Sequence, residues 1–187
     1  MKISKEQVAE NRQAVLDAAA MLFRERGFEG VTVAEIMKAA GLTHGAFYGH
    51  FASKDDLIAQ TCAHALAPFR AEDAPLVGIM DFADYYLSGE HRDHPGQGCI
   101  FSSLGTEAVR SSEATRHTLT ESIQHRIDNF SQTAAGKTAT ERRQAAVGSW
   151  AAMVGAVMMS RLVDDKELSD QILADTRAWL EKSQAKK

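Results

Sequence analysis

Residues 41–51 read GLTHGAFYGHF and hold three glycines, two histidines and three aromatics. Thr43, His44, Tyr48 and His50 carry the polar side chains of the stretch. Lys54 adds a cation just downstream. Glycine costs about 1 kcal/mol against alanine inside a helix, so its repeated use needs a reason. At Gly45 the reason would be close approach of bare backbone to another surface.

The flanking elements must position that stretch, and the expected fold is all-α, since alternating β-branched runs are absent. Ser4 followed by Gln7 reads as a capping box for a first helix, with Val8, Val15, Ala19, Leu22 and Phe23 at helical spacing and Gly27 as its stop. Thr32 with Glu35 is a second capping box, before an apolar face of Val33, Ile36, Met37 and Ala40 that ends at Gly41. After the turn Gly41-Leu42-Thr43, a third helix is expected over residues 44–50 with Thr43 as N-cap. Ser53 with Asp56 opens a long fourth helix through Leu57, Ile58, Cys62 and Leu66. Two helices joined by a tight glycine turn form a helix-turn-helix, whose second helix enters the DNA major groove. Phe47 and Phe51, four apart, would pack inward and leave Thr43, His44, Tyr48 and His50 outside.

The run from Thr32 to Leu57, TVAEIMKAAGLTHGAFYGHFASKDDL, resembles the DNA-binding domain of the tetracycline-repressor (TetR) family. A threonine-led helix, a glycine turn, an aromatic-Tyr-x-His-Phe element and a Ser-Lys pair all fall at Thr32, Gly41, Phe47, Tyr48, His50, Phe51, Ser53 and Lys54. The first helix, ending LFRERGF, is similar too, so the likeness covers roughly residues 10–60. It implies backbone-phosphate contacts from Thr32, Tyr48, His50 and Lys54, and base-edge contacts from Thr43 and His44, with Gly45 permitting approach. Histidine at 44 departs from the residue many relatives carry, which obscures base preference. The likeness further implies a homodimer, a small-molecule effector and repression of a palindromic operator, with a DNA-binding domain at 1–53 and a helical effector and dimerisation domain at 54–187.

Beyond Pro68, residues 71–75 and 88–98 read as loops, with helices over 76–87, 101–110, 113–133, 140–163 and 168–182. Gly148, Ala152, Gly155 and Ala156 form a small-residue stripe, and Trp150, Val154, Val157, Met158 and Leu162 add bulk on adjoining faces; a helix apolar nearly all round is buried, here against a second subunit. Met80, Phe82, Tyr85, Tyr86, Phe101, Leu104, Phe130 and Met153 could line a cavity beside Cys99, and an aromatic or lipophilic effector would suit them.

Charge adds a constraint: 21 Lys+Arg against 25 Asp+Glu give a formal net charge of −4. Residues 1–56 hold seven basic against eight acidic side chains, so Lys54, helix termini, and Lys2 and Lys5 on a flexible arm would have to supply the positive potential. Few basic contacts per subunit make a monomer bind weakly, so two are needed. Two cysteines, Cys62 and Cys99, suggest a reducing compartment, and a cytoplasmic protein without membrane span is expected. His91 and His94 lack a clear third metal ligand. No Ser-His-Asp, Walker, Rossmann or H-E-x-x-H signature points to an enzyme, and neither cofactor nor metal is expected. The rival reading is a ligand-binding or thiol-sensing helical module of the same fold with weak or no specific DNA binding.

Overall fold

The computed structural model describes residues 4–69 and 78–185. Among them the structure is helical throughout, with no strand. The expected loop at 71–75, the start of the helix at 76 and the arm residue Lys2 lie outside the described residues, whereas Lys5 opens the first helix rather than an arm.

Local caps set most boundaries. Helix α1 (Lys5–Arg26) starts where the Ser4 side chain accepts the Gln7 N–H at 3.1 Å. Helix α2 (Val33–Ala39) has the full capping box between Thr32 and Glu35. It ends on Gly41 in the left-handed region, φ 73°, with Leu42 N–H donating to Met37 O and Gly41 N–H to Lys38 O. Those two bonds are the Schellman arrangement, which a residue with a Cβ adopts only with strain. Helix α3 (Lys54–Leu66) begins at the Ser53 cap, whose side chain accepts from Asp56 N–H while Asp56 accepts from Ala52 N–H.

Between α2 and α3, residues His44–Gly49 wind as a 3-10 turn rather than the expected α-helix, and Thr43 makes no side-chain cap bond. Two of its six residues are glycine, and a segment this short gains too few i to i+4 bonds to offset their entropy.

The C-terminal half holds α4 (Ile79–Tyr86), α5 (Gly89–Asp93), α6 (Ile100–Ala108), α7 (Glu113–Thr133), α8 (Ala139–Leu162) and α9 (Lys166–Gln184). Part of the expected loop at 88–98 is helical: Ser88 caps α5, and a 3-10 turn follows at Pro95–Gln97. Helix α8 starts earlier than the expected residue 140, because Thr138 and Glu141 form a complete capping box. By length and composition α8 would also pass for a membrane-crossing helix. Its apolar residues instead divide between the protein's own core and an open face.

Two apolar clusters form. One joins α1, α2, the 3-10 turn and α3 through Val15, Phe23, Ile36, Phe47, Phe51 and Leu57, and takes in Ile100, Leu104 and Ala108 from α6. The other joins α4, α7, α8 and α9 through Ile79, Tyr86, Phe130, Met153, Val157 and Leu180.

Candidate nucleic-acid interface and effector cavity

The 3-10 turn is anchored from beneath. Phe47 and Phe51 are 1% and 2% exposed, and their rings stack 5.7 Å apart. Arg12 lies 4.6 Å over the Phe51 ring, and its Nη1 donates to the His50 carbonyl at 2.5 Å. Its Nη2 donates to Gln60 on α3, so Arg12 of α1 ties the C-terminal end of the turn to α3.

The outer side is bare. Thr43, His44, Gly45, Tyr48 and Gly49 are all exposed, Tyr48 at 72%, and its ring sits edge-on to Phe47 at 5.2 Å. A Cβ placed on Gly45 or Gly49 would meet nothing within 4 Å. His50 is half-buried. Lys54 Nζ stands 3.8 Å from Glu29 Oε2, a loose pair with a 93% exposed carboxylate. A phosphate can displace such a partner at little cost, since exposed pairs contribute about 0–1 kcal/mol. Thr32 is exposed, but its hydroxyl is engaged: it donates to Glu35 Oε2 at 2.7 Å and accepts the Glu35 N–H. Those bonds and Arg26 hold the Glu35 carboxyl down to about 2.

A cavity of about 400 Å³ lies in the other half. Phe82, Tyr85 and Tyr86 from α4 and Phe101 from α6 line it together with Cys99, and Trp150 from α8 closes one side. Of the residues expected there, Leu104, Phe130 and Met153 belong to the apolar cores instead, at 2%, 0% and 0% exposure, and Met80 packs against the second core. Leu104, Phe130 and Met153 lie one turn further along the same helix faces as Phe101, Arg126 and Trp150, where neighbouring side chains pack against them and leave no void.

Several residues of that wall lie outside the expected set. Arg24 reaches it from α1 and Arg126 from α7. Arg126 stacks over Phe82, Trp150 and Phe130 at 4.6, 5.4 and 5.5 Å. Its signal was visible: it falls four positions before Phe130 and four after Ser122, on the stripe that α7 buries. A cation on an apolar stripe marks either a pair or a ligand. His91, expected in a loop, is 3% exposed. Its Nδ1–H donates to Tyr86 O at 2.7 Å and its Nε2 accepts from Cys99 N–H at 2.9 Å, an arrangement that holds only for the neutral ring. Burial lowers its pKa accordingly.

Hydrogen bonds tie the cavity region to the N-terminal half. Arg24 Nε donates to Gly96 O at 2.8 Å, and Phe28 N–H, in the α1–α2 connection, donates to Glu107 Oε2 on α6 at 2.7 Å.

The stripe expected at a partner surface is split. Ala156, Trp150 and Val157, expected at that surface, are buried in the protomer's own core and do not belong to an open face. Gly148 and Gly155 have open space around them, Leu162 is 81% exposed, and Ala152 and Met158 are half-buried. Val147 and Met159 of α8 and Trp179 of α9 add exposed apolar surface that the reading had not included.

An aromatic-anchored helix-turn-helix joined to a helical domain with its own cavity defines a DNA-binding transcriptional regulator. Residues 15–61 match the family described as bacterial regulatory proteins, tetR family, and residues 75–175 match the tetracyclin repressor-like C-terminal domain. The chain belongs to the TetR family of transcriptional regulators. It is 30% identical over 176 residues to the HTH-type transcriptional repressor KstR2 of Rhodococcus jostii, covering 90% of this chain and 76% of that protein. It is 44% identical over 57 residues to the regulator AcrR of Shigella flexneri, a match that spans 30% of this chain and only 26% of AcrR. In fold it is similar to E. coli NemR in its reduced form, with TM-score 0.75 at 22% identity over 95% of this chain and 98% of that one.

Proposed function

We propose that the protein is a cytoplasmic repressor without catalytic activity that binds a palindromic operator as a homodimer and is released when a small molecule fills the cavity. The observation that carries this reading is the bare outer side of the recognition turn: Thr43, His44, Gly45 and Tyr48 exposed on an element pinned by Phe47, Phe51 and Arg12. Thr43 and His44 would meet base edges, and Tyr48, His50 and Lys54 phosphates. Thr32, its hydroxyl held by Glu35, would contribute the start of α2. We place the division at 1–53 for DNA and 54–187 for effector and pairing, with α3 as the joint.

Pairing would use the open face of α8 with α9, where Gly148 and Gly155 admit close approach and Leu162 and Trp179 seek cover. A filled cavity would move the starts of α5 and α6 and, through Gly96 and Glu107, the base of α1. The effector then acts by favouring a dimer whose recognition turns no longer fit successive half-sites.

Selection of bound duplexes from a random pool at two salt concentrations tests this. A palindromic consensus is expected. With it in hand, Tyr48→Ala should abolish specific binding while the dimer stays folded. Lys54→Ala should flatten the log–log salt dependence by about two, one phosphate from each subunit. Operator binding that survives both changes would reject the contact assignment.

A further inference from the structure

We propose that the cavity takes an uncharged aromatic carbonyl compound, its rings among Phe82, Phe101 and Trp150 and its oxygen accepting the Tyr86 hydroxyl. The proposal rests on the reading of this cavity as the effector site.

The hydroxyl is the group that asks for a ligand. Tyr86 lines the cavity and is 1% exposed, and its Oη has no hydrogen-bond partner among the described residues. Buried polar atoms are nearly always paired, and an unmet one keeps the full cost of leaving water. Its neighbours are committed elsewhere. Cys99 and Ser102 stand beside it outside hydrogen-bond geometry. Ser102 Oγ donates to the Cys99 carbonyl at 3.1 Å and accepts from Arg161 at 3.4 Å. The His91 ring, with its centroid 4.4 Å from that of Tyr86, has both nitrogens engaged by the Tyr86 carbonyl and the Cys99 N–H. Ring contacts hold Tyr86 where it is, with Phe82 stacked at 5.2 Å and Trp150 at 5.6 Å. Cys99 is itself a lining residue, so the hydroxyl stands at the Cys99 end of the wall. Burial raises its pKa, which keeps the proton on and the group a donor at neutral pH.

The rest of the wall chooses the body of the ligand. Phe82, Tyr85, Phe101 and Trp150 line it with aromatic rings. No aspartate or glutamate does so among the described residues, so a cationic ligand would meet no counter-charge. Arg24, bonded to Gly96 O, and Arg126, engaged with three rings, need not hold the ligand. A hydrocarbon would fill the space and leave the hydroxyl unmet. A carbonyl oxygen accepts that one donor and costs far less to strip of water than a charged group does. A cavity of about 400 Å³ falls within the range of small-molecule sites.

The test uses the full-length protein and matched ketone–hydrocarbon pairs: 1-indanone with indane, 1-tetralone with tetralin, and acetophenone with ethylbenzene. Each is titrated by calorimetry against the wild type and Tyr86→Phe. The variant should fold as well as the wild type, since only an unmet hydroxyl is lost. In at least one pair it should bind the ketone about fivefold or more weakly and the hydrocarbon within about twofold of the wild type. The infrared carbonyl band of the bound, isotope-labelled ketone should lie below its position in hexane, and Tyr86→Phe should move it back. Should the variant unfold, the band in the wild type decides. Ketone affinity untouched by Tyr86→Phe in every pair, a band at its hexane position, or no ketone binding at millimolar concentration would overturn the proposal.

Scoring operator release in the same samples separates this proposal from the one beneath it. Release by ketones and hydrocarbons alike, unchanged in Tyr86→Phe, would keep the regulatory cavity and remove the role of the hydroxyl. Ketones that bind through Tyr86 yet leave operator affinity unchanged would keep the carbonyl site and remove its regulatory role.

Discussion

Gly45 is the residue on which the DNA-binding reading can be separated from stability. Its φ is not in the left-handed region, and a Cβ there would meet nothing within the protein. Gly45→Ala should therefore fold as well as the wild type or slightly better, by up to about 1 kcal/mol. Operator affinity should nevertheless fall, because the added methyl stands where backbone would approach DNA; unchanged affinity in a gel-shift titration would mean the surface is not in contact. Glu35 makes a second point at this scale. Its carboxyl is held near 2 against an ordinary 4.5 by the Thr32 hydroxyl and backbone and by Arg26. A depressed acid stabilises the fold in full above 4.5, and that contribution is lost as pH falls from 4.5 through about 2. Carboxyl NMR should put the Glu35 midpoint near 2, and a midpoint at 4.5 would contradict the bonded cap.

At the scale of elements, α6 is the link between the two halves. Its N-terminal end, Ile100 and Phe101, lines the cavity, and its C-terminal end carries Glu107 against the α1–α2 connection. Ile100, Leu104 and Ala108 bury its inner stripe in the N-terminal core, so a helix of the effector half is packed as part of the DNA-binding half. The Phe28 N–H, held at 2.7 Å, is the point where that link can be cut. Glu107→Ala should raise the hydrogen-exchange rate of the Phe28 amide by about tenfold or more, since its acceptor is gone. Protection that stays at the wild-type level would show that α1 and α6 are joined by packing alone.

For the whole molecule the question is the second subunit. With a near-neutral N-terminal domain, one recognition turn offers few phosphate contacts, and two turns on one rigid dimer multiply the affinity of each. The proposed pairing surface is the open face of α8, where Gly155 has no neighbour within 4 Å of a Cβ position and Leu162 stands 81% exposed. Gly155→Arg should leave each protomer folded, convert the dimer to a monomer in sedimentation, and lower operator affinity on the order of a hundredfold. A dimer that persists with full affinity would place the partner on another surface.

Features set by neighbours three or four residues away can be read from the chain before it folds. Thr32 with Glu35, Ser53 with Asp56 and the Gly41 stop are short-range hydrogen bonds, so the ends of α2 and α3 and the placing of Phe47 and Phe51 beneath the turn were legible before any tertiary contact. Their spacing, with Tyr48, His50 and Lys54, was enough to show the family. Even locally, competition mattered: the glycines of residues 44–49 turned an expected α-helix into a 3-10 turn, and the Ser88 cap made a helix where composition suggested a loop. The cavity wall was only half legible. Phe82, Tyr86, Cys99 and Phe101 were foreseen, but Leu104, Phe130 and Met153 went to the core, and Arg24, Arg126, His91 and Trp150 joined from distant segments. Periodicity shows which side of a helix is apolar, but not whether that side meets another helix, a void or a second subunit. Only the packing of α1, α4, α6, α7 and α8 around one another settles that, because it depends on contacts between distant segments, such as Arg24 with Gly96 and Phe82 with Trp150.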